Sequence, residues 1–155
     1  MICIYTDGAS RGNGGESASA YIIIGEDGKE LARGVRHIGL ATNNMAEYMA
    51  VHDAVEYCYL NIVFEPSDCF KIISDSTLVI NQLNKNWRIN NHNLQEIVHN
   101  IRFYLDNMGS RFVFEWEPRT NKIIKECDKM NNQCLDSISL ITCSQPKARV
   151  QASRT

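Results

Sequence analysis

Ile2, Cys3, Ile4 and Tyr5 form a short β-favouring run that soon opens into glycine-rich chain, with Asp7-Gly8 and then Gly12-Asn13-Gly14-Gly15. Apolar and aromatic residues bounded by turn residues read as a buried strand. A carboxylate where a core strand breaks into a turn is held rigidly and still reaches solvent. Such a group suits a metal ion, and the alternative is an ordinary hairpin connection with a solvated Asp. Asn13 between two glycines gives a tight turn able to bring backbone close to a bound sugar or phosphate.

The rest of the chain supplies elements in a definite order. Residues 19–24 (SAYIII) read as a second strand, Asp27-Gly28 as a hairpin turn, and residues 29–37 as a third strand. The chain therefore opens as a three-stranded antiparallel meander. Thr42-Asn43-Asn44 starts a helix, with Met45, Tyr48, Met49, His52 and Val55 at helical spacing. Residues 69–74 (CFKIIS) predict a fourth strand ending at Asp75-Ser76, and residues 77–83 a short helix capped by Ser76 or Asp75. Residues 84–93 are polar and asparagine-rich, with one tryptophan, Trp87. Leu94, Ile97, Val98, Ile101, Leu105 and Met108 make an amphipathic helix stopped by Gly109. Residues 111–116 alternate as a fifth strand, and Pro118 ends it. Cys127, Met130, Cys134 and Ile138 predict a last helix. The order βββαβααβα implies an α/β fold, a five-stranded mixed sheet flanked by helices, with no internal repeat.

Composition excludes several classes. A length of 155 residues fits one domain, and 44% hydrophobic residues allow a real core rather than disorder. A formal net charge of −2 argues against binding nucleic acid through bulk charge. No apolar run approaches the roughly 20 residues needed to cross a bilayer. The first residues hold no basic segment of a secretory signal, so a cytoplasmic protein with no membrane partner is expected. None of the 6 cysteines forms a C-x-x-C pair, so a zinc site is not expected. Reduced core thiols are the main reading and a Cys143–Cys58 disulfide the minor one. After Cys143 the chain (SQPKARVQASRT) is basic and lacks acidic residues. Residues 139–155 are accordingly expected to be a flexible basic tail behind a domain of residues 1–138.

Four acidic residues stand out by position. Asp7 ends the first strand, Glu47 lies in the first turn of the first helix, Asp75 ends the fourth strand, and Asp128 lies near the start of the last helix. The helix dipole alone would favour a carboxylate at Glu47. If the first and fourth strands are neighbours, Asp7 and Asp75 sit side by side. Crowded carboxylates raise each other's pKa unless cations compensate them. Oxygen-rich sites suit Mg²⁺ or Mn²⁺. Two such ions about 3.5–4 Å apart can promote in-line phosphoryl displacement.

Tyr5-Thr6-Asp7-Gly8-Ala9, Gly12-Asn13-x-Gly15, Thr42-Asn43-Asn44-x-Ala46-Glu47, Ser74-Asp75-Ser76 and Cys127-Asp128-Lys129-Met130 together resemble type 1 ribonuclease H. The resemblance runs over residues 1 to about 138, and the element order is similar to the RNase H-like fold. Each motif is weak alone, and their order and spacing make the set specific. The resemblance implies an endonuclease that hydrolyses the RNA strand of an RNA/DNA hybrid, leaving 5′-phosphate and 3′-hydroxyl ends. It implies two Mg²⁺ or Mn²⁺ ions held by Asp7, Glu47, Asp75 and Asp128, with Asp7 bridging both. Asn13, Asn43 and Asn44 resemble the residues that read the minor groove, where the 2′-hydroxyl separates RNA from DNA. Thr42 and Asn91 resemble contacts to a DNA phosphate. Ser76 joins the substrate-binding set, and Trp87 is available to lie against a sugar. Turn and cap chemistry is the alternative for the asparagines, and a partly buried core position for Trp87.

The chain departs from the family pattern in two places. The stretch 84–94 is too short for the basic handle of many bacterial members and resembles the handle-less, archaeal-like branch. No His lies between Val113 and Asp128. Arg119 of Glu117-Pro118-Arg119 is expected to take a related role at the scissile phosphate, a solvated loop Arg being the alternative. Residues 121–126 exceed the usual spacing, which leaves Asn121 or Glu126 as alternative fourth ligands to Asp128. His37, His52 and His99 read as structural, and His92, in the polar loop, as solvated, with a substrate contact as the alternative. Two other functions stay open: a hybrid-binding module with a disabled centre, and a nuclease of the same fold acting on DNA. A monomer is expected.

Overall fold

A computed structural model describes residues 1–144 of the chain. The elements run β1 (Ile2–Ser10), β2 (Glu16–Ile24), β3 (Glu30–Leu40), α1 (Asn43–Asn61), β4 (Cys69–Ser74), α2 (Thr77–Leu83), α3 (His92–Met108), β5 (Arg111–Trp116) and α4 (Lys122–Ser144). The sheet order is β3-β2-β1-β4-β5. The meander is antiparallel, while β4 joins β1, and β5 joins β4, in parallel. This is the mixed sheet expected from the element order.

Alternation along the central strands fills two cores. Ile4, Ile23, Phe70 and Ile72 point to the face covered by α1, α2 and α3. Tyr5, Ala20 and Ile22 point to the opposite face, where Ile123, Cys127 and Met130 of α4 pack. Burying a side chain such as Ile4 or Phe70 contributes about 1.5–3 kcal/mol. Several such contributions offset the cost of placing carboxylates at the sheet's centre. The helices start where short polar side chains cap them. Thr42 accepts from Met45 N at 3.2 Å, Ser76 from Val79 N at 3.2 Å, and Asn91 from Leu94 N at 3.1 Å.

Several boundaries differ from the sequence reading. β1 does not end at Asp7 but continues to Ser10, because β2 pairs with it as far as Ser10↔Ser17. The turn lies at residues 11–15, where Gly12, Asn13 and Gly14 all have positive φ. α1 begins at Asn43, so Glu47 stands beyond the first turn, and the helix dipole does not account for it. α4 begins at Lys122, five residues before Cys127. Asn121 Oδ1 accepts from Ile123 N at 2.9 Å and Ile124 N at 3.1 Å, so the extra residues form a capped helical turn rather than a loop. Asp128 is accordingly the seventh residue of α4. The same helix runs past the expected boundary at 138 to Ser144, and the remainder of the expected tail lies outside the described residues. The five cysteines with described side chains are free thiols; the side chain of Cys143 lies outside that set.

Candidate active site

Asp7 sits mid-strand at the centre of the sheet, paired across to Ala20 and only 5% exposed. Its neighbour Gly8 is where α1 crosses the strand. A Cβ built there would lie 2.2 Å from the Ala46 carbonyl carbon and 2.3 Å from Glu47 N. The absence of a side chain at residue 8 therefore brings Glu47 onto Asp7. In the sequence Gly8 reads as a turn glycine, and no local pattern signals this role.

Asp75 arrives by strand register. Parallel pairing matches Tyr5 with Ile73, and the same register carried two residues on brings Asp75 beside Asp7. Thr6 Oγ1 donates to Ile73 O at 3.2 Å, and Trp116 Nε1 donates to Asp75 O at 3.0 Å, which pins the end of β4 from both sides. One carboxylate oxygen from each of Asp7, Glu47 and Asp75 lies within 4.8 Å of the others.

Such crowding perturbs the acids. Burial, then the charges of Asp75 and Asp128, push the Asp7 carboxyl up to about 7, while Asn131 and Arg119 pull the other way. Glu47 is raised well above the usual carboxylate range by burial, then by Asp7 and Asp75, and the Gly8 backbone N–H opposes this. Arg119 Nε donates to Asp75 Oδ2 at 3.1 Å. One exposed guanidinium does not neutralise three converging carboxylates. Two buried acceptor oxygens here, Glu47 Oε2 and Asn131 Oδ1, have no hydrogen-bond partner. An all-oxygen donor set with excess negative charge and orphaned acceptors fits a hard divalent cation.

The sequence profile of the RNase H family matches residues 1–133. The chain belongs to the RNase H family. A ribonuclease H of Clostridium botulinum is 32% identical over 90% of this chain and 98% of its own length. The solved RNase H1 of the archaeon Halobacterium salinarum superposes with a TM-score of 0.78 at 32% identity, covering 88% of this chain and 98% of that one. LC11-RNase H1, solved in complex with an RNA/DNA hybrid, gives a TM-score of 0.81 at 27% identity over 90% of this chain and 99% of that one.

Against the RNase H pattern, the remaining site residues fall into two groups. Asp128 is exposed and outside the close triad, although its charge acts on Asp7. The two alternatives for its role are engaged elsewhere. Asn121 caps α4, and Glu126 pairs with Arg33 on β3 at 3.3 Å. Asn13 Oδ1 accepts from Asn43 N at 3.0 Å, which joins the β1–β2 turn to the start of α1. Asn43 and Asn44 are exposed beside it. Thr42, Ser76 and Asn91 each use an oxygen as a cap acceptor, so their structural role is real. A cap leaves the hydroxyl hydrogen or amide hydrogens free to donate.

Trp87 is 48% exposed rather than a core aromatic. With Lys85, Arg88 and Arg102 it lines a cleft of about 450 Å³. Gln82 supports this loop by donating to Arg88 O at 3.1 Å while accepting from Tyr48 Oη at 2.6 Å. No separate handle helix lies between α2 and α3. None of the histidines pairs with Asp7, Glu47, Asp75 or Asp128: His37 pairs with Glu16, His52 pairs with Asp53, and His92 and His99 are exposed.

Arg119 is 84% exposed at its side chain, but its partner Asp75 is only 6% exposed, so the guanidinium offsets part of the charge gathered at the end of β4. Arg119→Gln is expected to lower the unfolding free energy by about 1 kcal/mol. The same change is expected to slow hybrid cleavage by about tenfold, the loss of one charge-assisted contact. Unchanged cleavage at saturating metal would remove Arg119 from the site.

Proposed function

We propose that the protein is a metal-dependent ribonuclease H that cuts the RNA strand of RNA/DNA hybrids internally, leaving 5′-phosphate and 3′-hydroxyl ends. The observation that carries this reading is the convergence of Asp7, Glu47 and Asp75 oxygens within 4.8 Å at the centre of an RNase H sheet. These three residues, with Asp128 as the fourth, would hold two Mg²⁺ or Mn²⁺ ions. Bound there, such ions would supply Lewis acidity and positive charge for hydrolysis of the phosphodiester.

The protein's own groups do the rest. Asp7, fixed in a central strand, gives the ions a rigid anchor. Asn13, Asn43 and Asn44 face the minor groove and use their amides on 2′-hydroxyls and base edges. Thr42, Ser76 and Asn91 donate towards the sugar-phosphate chain, and Trp87 packs against a sugar. Arg119 balances charge at the scissile phosphate. The RNA/DNA hybrid bound by LC11-RNase H1 supports this substrate class. The reading includes a monomer in the cytoplasm.

Incubation with labelled hybrid, duplex DNA and duplex RNA in Mg²⁺ tests the proposal. Cleavage of the RNA strand of the hybrid alone, abolished by EDTA, is expected. Intact hybrid at high protein concentration would leave a binding module, and preferred cutting of duplex DNA would favour a DNA nuclease. The convergent acids weigh against the first. With a net charge of −2, hybrid binding should be weak, and the part carried by phosphate contacts of basic side chains such as Lys85, Arg88 and Arg119 should be lost as salt rises. A dissociation constant unchanged between low and moderate salt would contradict this.

A further inference from the structure

The most deeply buried residues of α4 are Ile124, Cys127, Asn131 and Leu135, all between 0% and 1% exposed, beside Ile123 and Met130, which pack on the sheet. Three of these four are apolar and one is an amide. A buried amide in an apolar stripe is unfavourable unless its polar atoms are used. Helix packing alone would be served by a small apolar residue at position 131.

The amide has a specific partner. Asn131 Nδ2 donates to the Asp7 backbone oxygen at 3.0 Å and to Asp7 Oδ2 at 3.2 Å. Two acceptors on one side fix the amide orientation, because the flipped form would turn Oδ1 onto them. Asn131 Oδ1 is consequently directed elsewhere, buried and without a partner, like Glu47 Oε2. Both orphaned acceptors belong to residues that touch or hold the acidic centre.

We infer that Asn131 is a positioning residue of the metal centre: its amide ties the Asp7 main chain to the Asp7 carboxylate and so fixes the direction in which Asp7 offers oxygen to a cation. This rests on the reading of Asp7 as a metal-binding residue. Outer partners of metal-binding carboxylates orient them and tune affinity. Here the partner comes from α4, one turn beyond Asp128, so a single helix supplies both the outlying acid and the clamp on the central one.

Mn²⁺ binding followed by electron paramagnetic resonance of the full chain tests this without relying on turnover. Asn131→Ala removes both hydrogen bonds. Asn131→Leu removes them while keeping the volume that packs against β1. The expected result is a Mn²⁺ dissociation constant about tenfold or more weaker in both. KM for hybrid should stay within about twofold, and lost kcat should recover at high Mg²⁺, because position 131 holds the ligand rather than the substrate. In wild-type protein, the Asn131 side-chain amide resonances should shift on Mg²⁺ addition with the midpoint of metal binding. Wild-type Mn²⁺ affinity in a folded variant, or an amide pair unmoved by Mg²⁺, would overturn the inference. Asp7→Asn separates the two levels. If wild type binds no Mn²⁺, or Asp7→Asn binds it equally well, the metal-centre reading fails; if only the Asn131 results fail, that reading stands.

Discussion

Asp7→Asn is expected to abolish cleavage while making the metal-free protein more stable at and above neutral pH. The loss of activity follows from removing the central anchor of the cations. Several kcal/mol of transition-state stabilisation depend on them, which is about 10³-fold or more in rate. The gain in stability follows from linkage. The Asp7 carboxyl is raised from an ordinary 3.8 to about 7, first by burial and then by Asp75 and Asp128. The folded state therefore holds a proton that the unfolded state has released between those pH values. The stability tied to that proton is full below about pH 4 and is lost as pH rises through about 7. A shift of this size corresponds to at most about 4 kcal/mol. The neutral amide escapes most of it, and a gain of about 1–3 kcal/mol at pH 8 is expected, with little gain at pH 4. Urea unfolding in EDTA at the two pH values measures this. Added Mg²⁺ should stabilise wild type more than the variant, because only the wild-type site binds it well. Parallel pH profiles for the two proteins would show that Asp7 is not the strained acid.

Gly8→Ala is expected to be the most damaging conservative change in the core. The new Cβ would meet the α1 backbone at 2.2 Å, and backbone cannot swing aside as a side-chain tip can. Moving α1 off β1 disturbs the packing of Ala46, Val51 and Tyr48, all fully buried. A loss of about 1–3 kcal/mol, or somewhat more, follows for overpacking of this kind. The same displacement carries Glu47 away from Asp7 and Asp75, so Mn²⁺ affinity should fall together with stability. By contrast, Ala at Gly12 would meet no atom within 4 Å and would cost only the strain of its positive φ, +72°. Thermal unfolding and Mn²⁺ titration of the two variants check the contrast. Equal effects at positions 8 and 12 would refute the close-approach explanation.

The residues that locate the site were legible in the sequence because they sit in strong local patterns. Residues 69–74, 77–83 and 111–116 match β4, α2 and β5 at both ends, each bounded by a cap residue or a proline. The approach of Asp75 to Asp7 follows from β1 and β4 being neighbours, and the parallel register supports it. What stayed hidden depends on packing between distant elements. Gly8 looks like a turn residue until α1 is laid across β1. Asn131 looks like one polar residue in a run of polar and apolar ones until α4 faces the sheet and its amide meets Asp7, 124 positions away in sequence. The start of α4 is obscure in the sequence because residues 121–126 carry mixed charge without a clean apolar period. The signal that could have placed it was Asn121, a cap residue four positions after Glu117-Pro118 ends the strand.

The central claim is that Asp7, Glu47 and Asp75, brought together by a central strand, a close helix crossing and a parallel register, hold divalent cations. Anomalous diffraction from Mn²⁺-soaked crystals of the full chain tests it most directly. Mn²⁺ density within coordination distance of oxygens from all three residues is the predicted result. Ordered Mn²⁺ elsewhere, with none at these carboxylates at concentrations that support hybrid cleavage, would contradict it.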